Sequence, residues 1–579
     1  MQWIGDGEMP TAPHAREALG TSSRKAAPSL LLPLALLFSA GLVLRLWALA
    51  SREFVIQMEE APYVRAGANL ARGAGFVGPV EGWDRMFQPF YPLLVATASF
   101  LPGTDIEFEA RLVSSLLQAA LVIPVFLLAS HLYGRKAAIL AGTLAAIHPL
   151  LILISGTALS EPTYLTLFFT GLLATVMAVE YGGGRAAAAA GVAFGLAYLT
   201  RPEGLLFAAA SLPIVAFAPA LRGARLRSGA WPALCLAIGF GLVGAPRILS
   251  LSLQAGEIRF EGKGETVDVL SRRMDAGMSL AEASYAIDEN LAVVGPMLEV
   301  GRYVATPGEP REPLLARLAR MSRNGAEHLR YIRRTIFEAP FGSPVLLVLA
   351  VLGLLARPWN ARQARGHFVL FLGIGLALVV LSSCRLVLSR YHLIFLPFLL
   401  VWAGGGLVHL GDGLRTTLAW TRDGQARRAA AGLQIAAVAA VAALALSGID
   451  QAGDVHPPRP YPATLVRQEA GRWIRSHRPA ARVAMERSGI ATFYSGINWL
   501  LFPWATAPAA QRYVEKLSPD LLVLTGTDTT DYPFAAAWLE RGFPSPLFQR
   551  IYDRGTGLER VVIYEKRAGP QRVEGRSLG

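Results

Sequence analysis

Two cysteines in 579 residues, Cys235 and Cys384, both inside apolar runs, leave no disulfide framework and no cysteine metal site to read. The nine histidines form no cluster at ligand spacing, so the sequence offers no histidine metal site either. Charge is scarce as well. Only 17% of residues are charged against 53% apolar, with a mean hydropathy of +0.39, which sets aside a string of soluble domains despite the length. The chain reads as a polytopic α-helical membrane protein. Its net charge of +13, from 55 basic and 42 acidic residues, would suit a nucleic-acid partner if the arginines lay in a stripe. They fall instead in short links between apolar runs, the pattern that marks topology in a membrane protein.

Runs long enough to span a bilayer lie at 29–50, 111–133, 137–158, 162–180, 186–200, 203–221, 230–251, 342–356, 366–384, 391–410 and 429–448, predicting about eleven transmembrane helices. The letters ALAS at 48–51 resemble a signal-peptidase site, but the run before them is too long for a signal segment. At about 1.5 Å per residue that run reaches roughly 33 Å, against roughly 30 Å of hydrocarbon, so it is expected to stay as the first helix. The stretch FQPFYPLLVATASFLP at 87–102 is short, carries three prolines and reads as a re-entrant or interfacial piece. Leaving it out puts Arg135, Lys136, Arg185, Arg222, Arg225, Arg227, Arg357, Arg362, Arg365, Arg415, Arg422, Arg427 and Arg428 on the side of the N-terminus. The positive-inside rule makes that side cytoplasmic. The expected organisation is a cytoplasmic tail at 1–28 and a transmembrane part at 29–449 with outer loops at 51–110 and 252–341. An extracytoplasmic α/β domain at 450–567 and a disordered tail at 568–579 follow. The α/β reading rests on a helical period at Val466, Ala470, Trp473 and Ile474, and on strand-like ARVAM, DLLVLTG and RVVIYEK.

Two crossings separate Glu59 from Glu161, two more separate Glu161 from Arg201, and four separate Arg201 from Arg390, so all four reach the same outer face. Charges at membrane level cost about 2.5–3.5 kcal/mol at the centre and less at the rim, and therefore face a cavity or one another. Taken singly, each has a plainer reading. Glu59 and Glu60 suit solvated or capping charges, Glu161 the start of a helix capped by Ser160, and Arg201 and Arg390 snorkelling side chains. Their coincidence on one face favours a shared polar cavity. His148, before Pro149, reads as a kink residue and His392 as a packed or interfacial one. In QMEEAPYVRAGANLARG at 57–73, Pro62 suits the first turn of a helix and Gly73 its end. Tyr63, Ala66, Leu70 and Ala71 give one apolar face with Arg65, Asn69 and Arg72 away from it, predicting a short helix on the membrane surface.

Taken in order, EEAPY at 59–63, QPFYPLL at 88–94, YGRKAA at 133–138, LSEPT at 159–163, LTRPEG at 199–204 and SRYHLIFLP at 389–397 carry a family likeness. With them the chain resembles the GT-C glycosyltransferases that use lipid-phosphate sugars: the protein O-mannosyltransferases and the bacterial lipid A aminoarabinose transferases. The likeness covers nearly the whole membrane part and departs at Glu59, where the family places Asp and this chain has one more methylene. It implies a GT-C fold and an inverting transfer of a sugar from a polyprenyl phosphate to a lipid, glycan or protein at the outer face of the inner membrane. It also implies roles. Glu59 is the base that takes the acceptor's proton, with Glu60 the alternative. Arg201 and Arg390, and more weakly Arg247, meet the phosphate leaving group. Glu161 orients acceptor or sugar, and Tyr63 and Tyr391 line the site. No cofactor is certain: some GT-C enzymes use a divalent metal held by acids, and the closer relatives act without one. Two rivals stay open, a lipid or sugar transporter or flippase and a non-catalytic GT-C-like scaffold. A transporter would place charge near the midplane and interrupt helices in matching halves, whereas the charges here lie at helix ends on one face.

Overall fold

Lipid offers no water to satisfy backbone polar groups, so apolar segments of this length must close their hydrogen bonds internally as helices. In the computed structural model, which describes residues 28–79, 83–298, 312–338, 343–418, 423–447, 461–532 and 534–567, all eleven expected segments are helical. The expected tail at 1–28, apart from Pro28, and the tail at 568–579 lie outside the described residues. The first helix is α1 (Pro28–Ala50), followed by the short α2 (Ala61–Ala71) and α3 (Phe90–Ala98). Then come α4 (Ile106–Ala120), α5 (Val122–Tyr133), α6 (Arg135–Ile147), α7 (Pro149–Ser155), α8 (Glu161–Tyr181), α9 (Gly184–Thr200), α10 (Gly204–Leu221) and α11 (Ala230–Ala255). The outer loop adds α12 (Gly264–Asp275) and α13 (Leu314–Glu338), and the bundle closes with α14 (Ser343–Leu355), α15 (Ala361–Ser382), the turn α16 (Ser389–His392), α17 (Leu396–Thr417) and α18 (Asp423–Ser447).

Among the described residues eight helices are long and apolar enough to cross a membrane, or nine if the bent pair α6 and α7 is one span. Eleven crossings would require α9 and α14 as well, which at 17 and 13 residues reach only about 26 and 20 Å. The bend of 51° falls at His148–Pro149, where the missing proline N–H ends α6. Carbonyls freed there are taken by a buried cation. Arg45 of α1, fully buried, donates to the carbonyls of Ala145 and Ala146 at 3.1 and 3.0 Å. Helices α9 and α11 pack backbone against backbone: a Cβ at Gly191 would stand 2.1 Å from the Leu236 carbonyl, and one at Gly239 2.5 Å from that of Ala188.

The C-terminal part forms one five-stranded sheet with helices. Its elements are α19 (Pro462–His477), β1 (Val483–Glu486), α20 (Ile490–Ser495), β2 (Asn498–Leu501), α21 (Ala507–Leu517), β3 (Leu521–Thr525), β4 (Phe548–Arg554) and β5 (Val561–Lys566). The order is β2-β1-β3-β5-β4, with β1 parallel to β2 and β3, and β5 antiparallel to β3 and β4. The three strand-like stretches of the sequence are β1, β3 and β5, the inner strands. The two edges, β2 and β4, show exposed polar positions that weaken their apolar signal.

Two local expectations change. Helix α2 forms as expected, with Pro62 in its first turn and Gly73 at φ 76° after it, but its packed face is Ala61, Val64, Ala66 and Gly67, with Leu70 and Ala71 only half-buried. It is not laid on an open surface. It packs on α3 on one side, and its Arg65 donates to the carbonyls of Thr492 and Gly496 in the sheet part at 3.0 Å each. Ser160 does not cap α8 through its side chain; the hydroxyl instead lies 3.4 Å from that of Tyr63.

Candidate functional site

Helix ends place the charges. Arg201 follows the last residue of α9 and precedes Pro202, which disfavours a helical conformation before it and leaves Arg201 extended at φ −150°, ψ 136°. Glu161 opens α8 with Pro162 behind it, and Arg390 lies in the turn α16. Glu59 stands in the loop just before α2.

These residues form one alternating chain. Arg201 meets Glu161 at 2.9 Å and Glu203 at 3.3 Å, while Arg390 meets Glu161 at 3.7 Å and Glu59 at 3.3 Å. Tyr391 lies between the two guanidiniums, at 5.3 Å from Arg201 and 5.4 Å from Arg390, and the Arg201 guanidinium also covers Tyr164 at 5.7 Å. Apart from Glu59, the arrangement lines the polar end of an open pocket. Its other walls are apolar: Leu165 of α8, Phe207 of α10, Ala377, Val380 and Leu381 of α15, and Ile394. The hydroxyl of Tyr164 and one oxygen of Glu203, both on the pocket wall, are buried without a hydrogen-bond partner among the described residues.

The adjacent acids part company. Glu60 is 1% exposed and accepts from the backbone N–H of Gln57 at 2.9 Å and of Ala158 at 2.8 Å, with Arg111 at 3.4 Å. It ties the first outer loop to the link between α7 and α8. Glu59 has its side chain 54% exposed and touches Arg390 through one oxygen only, with no contact to the other among the described residues. Tyr63 packs edge-on to Phe87 and Tyr91, and burial raises its pKa, keeping it a neutral hydroxyl. Arg247 stands apart from the chain of charges: it holds Gln88 at 3.2 Å and the carbonyls of Asp84 and Phe87 at 2.6 and 2.9 Å, so it fixes the short helix Trp83–Met86 and the residues after it.

Three residues escape a reading of the sequence. Tyr164 lies one helical turn beyond Glu161, and Glu203 two residues beyond Arg201, so both were within reach of the motifs. Lys263 carried no such signal. It stands just before α12, its ammonium 5.3 Å from the Phe87 ring, and it makes no ion pair among the described residues. Burial works against its charge, but the surroundings of Tyr391, Tyr63 and Glu203 outweigh that and raise its pKa. Counting Lys263, three acids (Glu59, Glu161, Glu203) face three bases in one site. Interleaved with guanidiniums, these carboxylates do not make a donor set for a divalent cation, and among the described residues no group of three or more His, Cys, Asp or Glu does.

The family described as dolichyl-phosphate-mannose-protein mannosyltransferase matches residues 88–247, a stretch that includes Glu161 and Arg201. No curated protein matches the chain. Among solved structures the chain is similar to ArnT from Cupriavidus metallidurans bound to undecaprenyl phosphate. The identity is 15% and the TM-score 0.53, covering 93% of this chain and 99% of that one. It is similar also to the archaeal oligosaccharyltransferase AglB from Archaeoglobus fulgidus in complex with an inhibitory peptide and a dolichol-phosphate. There the identity is 13% and the TM-score 0.54, covering 88% and 71%. At such identities the likeness is one of fold, and the chain has the GT-C architecture.

Proposed function

We propose that this chain is a multi-pass membrane glycosyltransferase that moves a sugar, with inversion, from a polyprenyl-phosphate donor to a lipid, glycan or protein acceptor. In this reading the site opens at the outer face of the inner membrane, with the N-terminus cytoplasmic and the sheet outside. One observation carries the proposal: a chain of alternating acids and arginines closes the polar end of a pocket whose remaining walls are apolar. An anionic headgroup on a hydrocarbon tail has the matching polarity. The polyprenyl phosphates named with ArnT and AglB belong to that chemical class.

The acceptor hydroxyl or amine attacks the anomeric carbon while Glu59, through its open oxygen, takes the proton. The bond from that carbon to the phosphate oxygen breaks on the opposite side, and the electron pair leaves with the polyprenyl phosphate. Arg390, Arg201 and Lys263 meet the charge growing on that oxygen. Glu161, fixed between two guanidiniums, and Tyr391 set the sugar's orientation. Glu60 and Arg247 support the site through the backbone they hold, so Glu59 is the proposed base.

Purified protein given polyprenyl-phosphate sugars and envelope extracts tests this by transfer of label to an acceptor. Glu59→Gln is expected to lower transfer by about 10² to 10⁴ with the thermal midpoint unchanged. Glu60→Gln, which breaks a buried pair, is expected to lower stability by about 3–5 kcal/mol. Full transfer by Glu59→Gln refutes the base assignment. Movement of labelled lipid without chemical change, and no transfer from any donor, refutes the enzyme.

A further inference from the structure

Helix α13 is inside out for a helix of a soluble domain. Its polar residues at a spacing of four, Arg320, Asn324 and His328, are buried, whereas Leu314, Leu315, Leu318 and Leu329 are each more than half exposed. At about 100° per residue, Leu314, Leu318 and Leu329 fall within about 60° of one another and form a single outward stripe.

The buried side is fixed to the end of a membrane helix. Asn324 donates to the carbonyl of Ser382, the last residue of α15, at 3.3 Å, and His328 Nε2 lies 3.0 Å from the carbonyl of Cys384. A Cβ at Gly325 would stand 2.7 Å from the Ser382 hydroxyl oxygen, so α13 rests directly on that end. Ile332 packs against the core of the bundle, and α14 begins at Ser343. Val379, three residues before Ser382 and so on the same side of α15, is half-exposed. The lipid-facing surface of the bundle therefore reaches up to α13, which lies at the rim of the hydrocarbon on the side of the candidate site.

Charge says what covers the stripe. Arg323, Arg330 and Arg334, spaced by seven and four, form a second exposed stripe about 130° around the helix from the leucines, with Arg317 and Arg333 exposed beside them. None of these five makes an ion pair among the described residues, and the single acid between 314 and 334, Glu327, is paired with Arg385. A second copy of the chain would bring the same five charges against them, since a twofold interface sets a patch against itself. A bilayer surface satisfies both stripes at once: leucines enter the acyl layer while arginines rise to the headgroups. Neutral headgroups would leave the arginines unmatched, and anionic ones match them.

We propose that α13 is an interfacial helix that binds anionic phospholipid, with Leu314, Leu318 and Leu329 in the acyl layer and Arg323, Arg330 and Arg334 on the lipid phosphates of the leaflet at the site's end of the bundle. The inference does not depend on what the site transfers. It bears on the site through the other side of the helix, where the Tyr331 hydroxyl is hydrogen-bonded to that of Ser389, the residue before Arg390. The helix that lies on the lipid thus also holds the turn α16.

The test uses the full chain in phosphatidylcholine nanodiscs that contain a fixed fraction of either phosphatidylglycerol or phosphatidylcholine carrying the same photoreactive acyl chain. Labelled positions are mapped by peptide mass spectrometry. Phosphatidylglycerol is expected to label residues 314–334 at least about fivefold more than phosphatidylcholine does, the factor that one arginine supplies beside an anionic surface. Added salt is expected to shrink that preference. Arg323→Gln, Arg330→Gln and Arg334→Gln together are expected to abolish it, with labelling of α14 and α15 and the thermal midpoint unchanged. Equal labelling of α13 by the two lipids overturns the anionic preference. A preference that survives the three substitutions overturns the role of these arginines. Labelling of α14 and α15 but not of α13 by either lipid means that protein covers the helix, and overturns the proposal outright.

Discussion

A carboxylate's surroundings decide what it can do, and in Glu59 and Glu60 one peptide bond separates a half-exposed acid from a fully engaged one. The same reasoning singles out Tyr164 on the pocket wall, whose buried hydroxyl has no hydrogen-bond partner among the described residues. Removing such a group relieves an unsatisfied donor, so Tyr164→Phe is expected to leave the thermal midpoint unchanged or slightly raised. Donor KM should rise several-fold with kcat nearly unchanged; kinetics and a melting curve check both together. At this scale the sequence was informative wherever a proline stood near a charge. Pro62, Pro162 and Pro202 end or begin helices, and helix ends are where polar side chains collect. Lys263 has no such marker and reaches the site only because its loop folds back, with Gly262 packed against the carbonyl of Arg85.

Among the elements, α9 and α11 depend on each other's lack of side chains. A methyl group at Gly191 meets a backbone carbonyl 2.1 Å away, which cannot move as a side chain would. Gly191→Ala is expected to cost about 1–3 kcal/mol by overpacking. Because α9 ends on Arg201, it should also weaken donor binding, which a melting curve and a titration with polyprenyl phosphate would show. The membrane helices were legible because each is a long apolar run. The amphipathic α13 was not, since its exposed leucines and arginines alternate without a run, and its importance comes from His328 and Tyr331 meeting residues some sixty positions away. Strands β2 and β4 escaped for a related reason: edge strands keep polar positions that blur their period.

Across the whole molecule, bundle and sheet are joined around α2 by a buried apolar cluster that includes Val64 and Ile490 and by a set of polar contacts. Tyr494 of α20 donates to Glu107 of α4 at 2.8 Å and accepts from the N–H of Ile56 at 3.0 Å, while Arg65 reaches three carbonyls of the sheet part. Glu107 in turn pairs with Arg111, which holds Glu60, so the roof and the site share one network. Arg65→Ala combined with Tyr494→Phe is expected to split calorimetric unfolding into two transitions and to lower transfer although both parts remain folded. Arg45 has a consequence of another kind, in the order of manufacture. Its carbonyl partner on Ala146 lies 101 residues later in the chain, so α1 enters the membrane with a guanidinium that has the Gly41 carbonyl of its own helix, at 2.9 Å, but not yet those of Ala145 and Ala146. At roughly 5–20 residues per second that interval lasts about 5–20 s. During it the first helix has to be kept near the site of synthesis, by the insertion machinery or by headgroups, until its anchor has been made.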